Sequence, residues 1–167
     1  MPTDFLKLFE TLNSAGARYV VVGGLASLLH GVGRTTTDVD ICLDFTTDAV
    51  LPAIDNLTAA GYRPAAPVNV RDLADERVRI RWQRDNSMVV FSLWDMNNQQ
   101  PTLDVMLNPI VPFPELWRDS LVVSLLGASV RIASIPHLIQ MKQLAGRTQD
   151  LADIEVLRRI LAQNPKS

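Results

Sequence analysis

The hydrophobic pattern of the first third of the chain alternates between helical and strand periods. Apolar residues recur at near-helical spacing over residues 3–14, which predicts an amphipathic helix that ends before Gly16. A continuous apolar run at 18–23 is typical of a short strand covered on both faces. The same pattern predicts three further elements: a helix at 24–31, a strand at 39–43, and a helix capped by Thr47 that runs to about residue 60.

The middle of the chain changes to a two-residue period. In residues 77–83, arginines alternate with Val78, Ile80 and Trp82, which predicts a strand with one cationic and one apolar face. The polar segment 84–87 then predicts a hairpin turn into the next strand. We interpret the cationic face either as a solvated outer surface or as a short track for an acceptor such as RNA or a phosphorylated molecule.

The remainder of the chain contains further strands and ends in helices. Strands are predicted at 88–94, 102–107, 121–124 and 129–132, a proline-bearing loop at 108–114, and helices at 134–146 and from about 148 to 163. This order indicates an α+β fold with a mixed β-sheet, flanking helices and a C-terminal helical segment. We predict a core over residues 1–133 and a helical segment over 134–167 that packs on the same domain.

Composition narrows the class of protein. A chain of 167 residues is long enough for one domain with a sizeable core. Its net charge of −2 argues against general nucleic-acid coating, although a local basic patch is compatible with it. The single cysteine, Cys42, excludes an internal disulfide and fits a reducing cytoplasm. Because the N-terminus lacks an apolar signal core and no apolar run reaches about 18 residues, we expect a cytoplasmic protein without membrane association.

Three aspartates are the candidate chemical groups. Asp38 and Asp40 alternate at the start of a strand, so they share a face and lie about 7 Å apart along the chain. Asp104 interrupts an otherwise apolar strand, where a carboxylate must be paired, bind a metal or face a cleft. If the two strands are neighbours, three acids converge. Such a group suits divalent cations and phosphoryl transfer.

Beyond these acids, the sequence resembles a known family. A strand ending in Gly-Gly, a short helix, Asp-x-Asp on the next strand and a later lone strand Asp are similar to the polymerase-β-like nucleotidyltransferase superfamily. The nearest resemblance is to its small bacterial branch, which includes abortive-infection type toxins of toxin–antitoxin pairs. The residues that carry the resemblance are Gly23, Gly24, Ala26, His30, Gly31, Arg34, Thr36, Asp38, Asp40 and Asp104, with Lys142, Gly146, Arg147, Asp150 and Asp153 in the tail.

The resemblance implies a Mg²⁺-dependent (or Mn²⁺-dependent) enzyme that moves a nucleoside monophosphate from a nucleoside triphosphate to a hydroxyl. The acceptor would be RNA, a protein or a small molecule, and a cognate antitoxin protein would be a partner. Asp38, Asp40 and Asp104 would be the catalytic and metal-binding residues. The groups expected to hold the nucleotide are Gly23, Gly24, Arg34 and Lys142.

One departure from the family pattern supports an alternative function. Many members of the superfamily have Gly-Ser where this chain has Gly23-Gly24, and that serine binds a phosphate. The alternative is therefore a catalytically weak nucleotide-binding or partner-binding module on the same fold.

For other residues the structural interpretation competes with the functional one. Lys142 fits either a solvated helix face or a triphosphate contact, and Arg147 is expected to pair with Asp150 or Asp153 and dock the tail. Asp44 is typical of an exposed strand end, and His30 of a satisfied structural histidine.

Overall fold

The computed structural model describes residues 4–166 and forms a mixed sheet of seven strands flanked by helices. The strands are β1 (Tyr19–Val22), β2 (Asp38–Leu43), β3 (Tyr62–Pro64), β4 (Val90–Asp95), β5 (Thr102–Met106), β6 (Leu121–Leu125) and β7 (Ala128–Ile132). The helices are α1 (Phe5–Ser14), α2 (Gly23–Leu29), α3 (Val50–Ala59), α4 (Glu76–Asn86), α5 (Phe113–Asp119), α6 (Ile135–Ala145) and α7 (Thr148–Gln163), with a short 3₁₀ helix at Val70–Ala74. The α+β class and the mixed sheet are thus confirmed.

The order of the strands places the acidic segments side by side. Across the sheet the order is β3-β4-β5-β2-β1-β7-β6. Strand β2 lies at the centre, antiparallel to β1 and parallel to β5, and Asp40 is directly in register with Asp104. Since residues paired across neighbouring strands project from the same face, the two carboxylates share one side of the sheet.

The two faces of the central strands are not equally covered. Val39, Ile41, Leu103 and Val105 are almost completely buried on one face. On the other face, Asp38 is exposed, and Asp40 and Asp104 are half-buried. The polar face is therefore open along part of β2 and β5, and this opening forms the candidate site described below.

The C-terminal helices follow the predicted boundaries. Ser134 caps α6 by accepting from the backbone N–H of His137, and Gly146 ends the helix in the left-handed region at φ +65°. Helix α6 packs against both α2 and α7. The division of the chain at residue 133 stays a prediction.

The predicted strand at 77–83 is wrong, and so is the hairpin turn at 84–87. Residues 77–86 belong to α4, and Ser87 is its C-cap. Asp75 caps the start of this helix by accepting from the backbone N–H groups of Arg77 and Val78. The guanidinium of Arg79 is buried over the ring of Phe45 and donates to the Leu73 carbonyl. The alternating arginines therefore do not form one cationic face, and the proposed acceptor track along them does not exist.

Smaller differences concern element ends and elements that lack a strong pattern. Helix α3 begins at Val50 rather than next to Thr47. Helix α5 begins inside the predicted proline loop, and the three-residue strand β3 and the 3₁₀ helix had no predicted counterpart. Asp44 is buried rather than exposed, because Arg18 pairs with it at 3.0 Å and Thr46 donates to it.

No helix in residues 4–166 is long and apolar enough to cross a membrane.

Candidate active site

A cleft of about 310 Å³ lies between the open face of β2 and β5 and the C-terminal helices. Its lining includes every residue that the sequence singled out for catalysis, metal binding or nucleotide binding: Gly23, Gly24, Arg34, Asp38, Asp40, Asp104 and Lys142. Segments far apart in the chain thus meet in one pocket. Thr36, Arg147 and Asp150 line the same cleft.

The three carboxylates occupy two neighbouring strands. Asp38 and Asp40 lie on β2, and Asp104 lies on β5 beside Asp40. The Ser92 hydroxyl on β4 donates a 2.6 Å hydrogen bond to Asp104 Oδ1, which fixes the orientation of that carboxylate. The Thr37 hydroxyl lies 3.3 Å from Asp38 Oδ1. The acids therefore form an L-shaped group with Asp40 at its corner, and Asp38 and Asp104 each have a hydroxyl partner.

Burial and mutual repulsion raise the affinity of two of these acids for protons. Loss of hydration and then the charges of Asp104 and Asp38 raise the pKa of Asp40 to about 6. Burial also raises the pKa of Asp104, against the hydrogen bond from Ser92, which lowers it. A group that concentrates negative charge to this extent favours any cation that enters the cleft.

Gly23 allows the chain to pass close to this group. Its φ of +65° lies in the left-handed region that favours glycine, and any Cβ added there would collide with the Asp40 carboxylate. The glycine at the end of β1 is therefore required both by the turn and by the acid that faces it. It brings the backbone into contact with the carboxylates.

Gly24 makes room for Arg34. A Cβ at position 24 would lie 3.2 Å from Cζ and 3.3 Å from one terminal nitrogen of the Arg34 guanidinium. A serine at this position, as in the Gly-Ser pattern, would therefore require the guanidinium of Arg34 to shift by a few tenths of an ångström. Nε of Arg34 is buried and has no hydrogen-bond acceptor within the described part of the chain. A positive group with a free donor thus occupies the space next to the Gly-Gly turn.

A buried network of ion pairs holds this arginine and joins it to the tail. Arg34 donates to Asp153 Oδ2 at 2.6 Å, and Lys142 Nζ approaches the same oxygen at 2.8 Å. Lys142 Nζ also lies 3.5 Å from Asp150 Oδ1. Asp150 in turn accepts from Nε of Arg147 at 2.7 Å. The predicted pairing of Arg147 with an aspartate of the tail is present, but both residues lie at the start of α7, so this pair does not dock the tail. The pairs of Asp153 with Arg34 and of Asp150 and Asp153 with Lys142 join α7 to the site.

The charges of the network are not balanced within it. Three cations, Arg34, Lys142 and Arg147, face two anions, Asp150 and Asp153. Burial opposes ionisation of Asp150, but the hydrogen bond and charge of Arg147, with the charge of Lys142, hold its pKa below the usual range. Lys142 is 5% exposed, and its ammonium points to the aspartates while its side chain lines the cleft. One net positive charge therefore stands opposite the three carboxylates.

Sequence reasoning missed Ser92. The serine alternates with Phe91 and Leu93 on β4, so the sequence could place it on the face of the strand opposite those two residues. Its partner depends on the register of β4 with β5, in which Ser92 lies opposite Asp104.

The structure gives His30 the expected structural role, since its Nε2 lies 2.8 Å from the Ala133 carbonyl. Burial raises the pKa of the Cys42 thiol to about 12, which excludes a nucleophilic thiolate at neutral pH.

The donor chemistry fits a divalent cation, although the side chains are not arranged as a closed cage. Across residues 4–166, no group of three or more Asp, Glu, His or Cys side chains is placed to hold a metal ion as it stands. Carboxylates are nevertheless the ligands that Mg²⁺ prefers, and Mg²⁺ commonly takes one or two carboxylates together with substrate phosphates. The raised pKa of Asp40 indicates that the charge of the group is incompletely compensated by the protein.

Comparison with known proteins establishes the fold. No protein-family model matches the chain, and no curated protein matches its sequence. A crystal structure of ANT(2'')-Ia in complex with adenylyl-2''-tobramycin is similar over 96% of this chain and 89% of that chain, with a TM-score of 0.58 and 13% sequence identity. A solution structure of the antibiotic-resistance factor ANT(2'')-Ia is similar over 95% of this chain and 80% of that chain, with a TM-score of 0.57 and 13% identity. The chain therefore has the fold of these nucleotidyltransferases.

Proposed function

We propose that this protein is a nucleotidyltransferase that moves a nucleoside monophosphate from a nucleoside triphosphate to an acceptor hydroxyl. The convergence of Asp38, Asp40 and Asp104 in one cleft carries the proposal, because the acids come from two distant segments and meet beside a cationic group. The shared fold with ANT(2'')-Ia, one of whose structures contains an adenylylated antibiotic, supports the same chemistry.

The positively charged and the negatively charged side of the cleft would bind different parts of the substrates. Phosphate oxygens of the nucleotide would lie against the Gly23-Gly24 turn and the Arg34 guanidinium, with Lys142 and Arg147 behind them. Arg34 would thus supply the phosphate contact that a serine provides at the position of Gly24 in many proteins of the superfamily that this sequence resembles. Asp153 keeps the guanidinium in place.

The three aspartates would bind the metal ions and activate the acceptor hydroxyl. Asp38, Asp40 and Asp104 would hold Mg²⁺ or Mn²⁺, which supplies charge neutralisation for the phosphates and for the transition state. Asp104 would accept the proton of the attacking hydroxyl, since its pKa is raised and Ser92 fixes its orientation. The acceptor oxygen bonds to the α-phosphorus, and the bond from that phosphorus to the bridging oxygen of pyrophosphate breaks.

Two finer parts of the proposal rest on the sequence resemblance alone. These are a role as the toxin of a toxin–antitoxin pair and a cognate antitoxin as partner. A catalytically weak nucleotide-binding or partner-binding module on the same fold is the alternative, because Gly24 offers a phosphate its backbone amide but no side-chain hydroxyl.

The test is a screen of the four α-³²P-labelled nucleoside triphosphates with Mg²⁺ against total cell RNA, protein and a set of hydroxylated small molecules. We expect label on one class of acceptor and release of pyrophosphate, and loss of both with EDTA. Nucleotide binding by calorimetry without pyrophosphate release would contradict the enzyme and support the binding module.

A further inference from the structure

A second cavity, of about 610 Å³, lies at the other end of the strands that carry the acids. Strands β2 and β5 are parallel, so their C-terminal ends share one edge of the sheet, and residues that follow both strands line the cavity. The first turns of α4 and α5 line its other sides. Met106 lines both this cavity and the candidate active-site cleft, so the two are neighbours. The volume is typical of a site for a small molecule.

Arg79 is a buried cation of this cavity that has no acidic partner. It is 8% exposed and lines the cavity. Within residues 4–166, no carboxylate oxygen lies within 4.0 Å of its guanidinium. Lys142, the other cation buried in that part of the chain, contacts two aspartates instead. Because a buried charge costs free energy unless it is paired, the charge of Arg79 is incompletely compensated by the protein.

The guanidinium of Arg79 is held in place but keeps donors available. Its Nη1 donates to the Leu73 carbonyl at 2.8 Å, and its Cζ lies 3.9 Å from the centre of the Phe45 ring. Neither Nε nor Nη2 has an acceptor in the described chain, and neither is fully enclosed by protein. These two nitrogens form one edge of the guanidinium, whose parallel N–H groups match the two oxygens of a carboxylate.

The rest of the lining offers little further charge. Arg18 pairs with Asp44 at 3.0 Å, so the charges of these two residues offset each other. Glu76 is exposed, one helical turn before Arg79, and its carboxylate is free to point to solvent. The other lining side chains are uncharged, and most are apolar, among them Phe45, Met106, Leu107, Phe113 and three prolines. The cavity thus combines one available cationic edge with apolar walls.

We propose that this cavity binds a small amphipathic carboxylate, with the carboxylate on Nε and Nη2 of Arg79 and the apolar body against Phe45 and Phe113. A monoanion fits better than a phosphate ester, because a phosphate carries up to two negative charges and Glu76 would repel the second one. The inference does not depend on the proposed function, since the site lies outside the candidate active-site cleft and needs neither nucleotide nor metal.

The test measures binding of 3-phenylpropionate, 4-phenylbutyrate and octanoate to the full chain by calorimetry at neutral pH, without nucleotide or metal. At least one of these acids should bind saturably, with one molecule per chain, and the corresponding neutral amide should bind at least about tenfold more weakly. Arg79→Met should weaken binding of the acid by at least about tenfold. Arg79→Lys, which keeps the charge but loses the paired donors, should give an intermediate loss. Circular dichroism of each variant checks the fold.

A second variant tests the same charge without a change in the core. Glu76→Gln removes the exposed negative charge beside Arg79, so it should tighten binding of the acid by about threefold and leave the amide unaffected. The matched control is Glu10→Gln, since Glu10 is exposed on α1 and does not line the cavity. This control should bind the acid as the unmodified protein does.

Three results would overturn the proposal. The first is that none of the three acids binds saturably, and the second is that acid and amide bind with equal affinity. The third is an affinity for the acid that neither a folded Arg79→Met nor Glu76→Gln changes, because the ligand would then lie elsewhere. Failure of the protein to bind or use any nucleoside triphosphate would refute the proposed function and leave this proposal intact.

Discussion

Replacement of Asp40 by asparagine should stabilise the folded protein. Burial and the charges of Asp104 and Asp38 raise the pKa of Asp40 from 3.8 to about 6. A shift of about 2 units corresponds to about 3 kcal/mol of unfavourable free energy when the group is charged. Asparagine has the same shape and no charge. We therefore expect Asp40→Asn to raise the free energy of unfolding at neutral pH by about 3 kcal/mol, or the Tm by about 6–12 °C.

The raised pKa of Asp40 also predicts how the effect of Asp40→Asn on stability changes with pH. Because the folded pKa of Asp40 is raised, its favourable contribution is fully present below about pH 4 and is lost as the pH rises through about 6. The difference between Asp40→Asn and the unmodified protein should therefore be small at pH 4, grow up to about pH 6 and stay constant above pH 7.

Urea denaturation of both proteins at pH 4.5, 6 and 7.5 in EDTA measures this difference. Asp48→Asn is the control, since Asp48 is exposed and does not line the cleft. A difference between Asp40→Asn and the unmodified protein that is absent at pH 7.5, or equal at pH 4.5 and 7.5, would refute the electrostatic description of the acids.

Two further predictions concern the cationic side of the cleft. Gly24→Ser places its Cβ against the guanidinium of Arg34. Because a charge-assisted contact with the phosphate would be weakened, we expect nucleotide affinity to fall by about tenfold in calorimetry. Tighter binding would show that Arg34 is not the phosphate contact. Asp153→Asn leaves Arg34 without a charged partner and Lys142 with only Asp150, at 3.5 Å, and urea denaturation should show a loss of about 3 kcal/mol or more in the free energy of unfolding. A loss below about 1 kcal/mol would mean that the network contributes little to docking the tail.

The sequence was sufficient for the central part of the fold because local signals there agree with one another. The apolar run of β1, the glycine turn and the alternating acids of β2 each restrict the backbone in the same way. The C-terminal helices were predictable for the same reason, since Ser134 and Gly146 are strong cap residues. The meeting of Asp104 with Asp40 required one assumption, that β5 lies next to β2, and the parallel pairing of these strands satisfies it.

The segment at 77–83 shows where a two-residue period misleads. Val78 and Trp82 are four residues apart, so they also share a helix face, and Trp82 stacks on Phe91 in the core. Ile80 is 53% exposed, which a buried strand face would not allow. The deciding signal is the cap at Asp75, a local feature that the alternation of charges obscures.

The partners inside the site depend on tertiary structure. The arginine over Gly24 and the hydroxyl of Ser92 on Asp104 both join segments that are more than nine residues apart. Nothing in the local pattern specifies such contacts. The sequence could therefore nominate the chemical groups of the cleft but not their hydrogen-bond partners.

The most direct measurement is transfer of label from an α-³²P nucleoside triphosphate by the unmodified protein, Asp104→Asn and Asp48→Asn under identical Mg²⁺ concentrations. The account predicts that Asp104→Asn loses at least about a hundredfold in rate while Asp48→Asn keeps full activity. Transfer by Asp104→Asn at the rate of the unmodified protein would contradict the claim that acids of β2 and β5 act as one catalytic group.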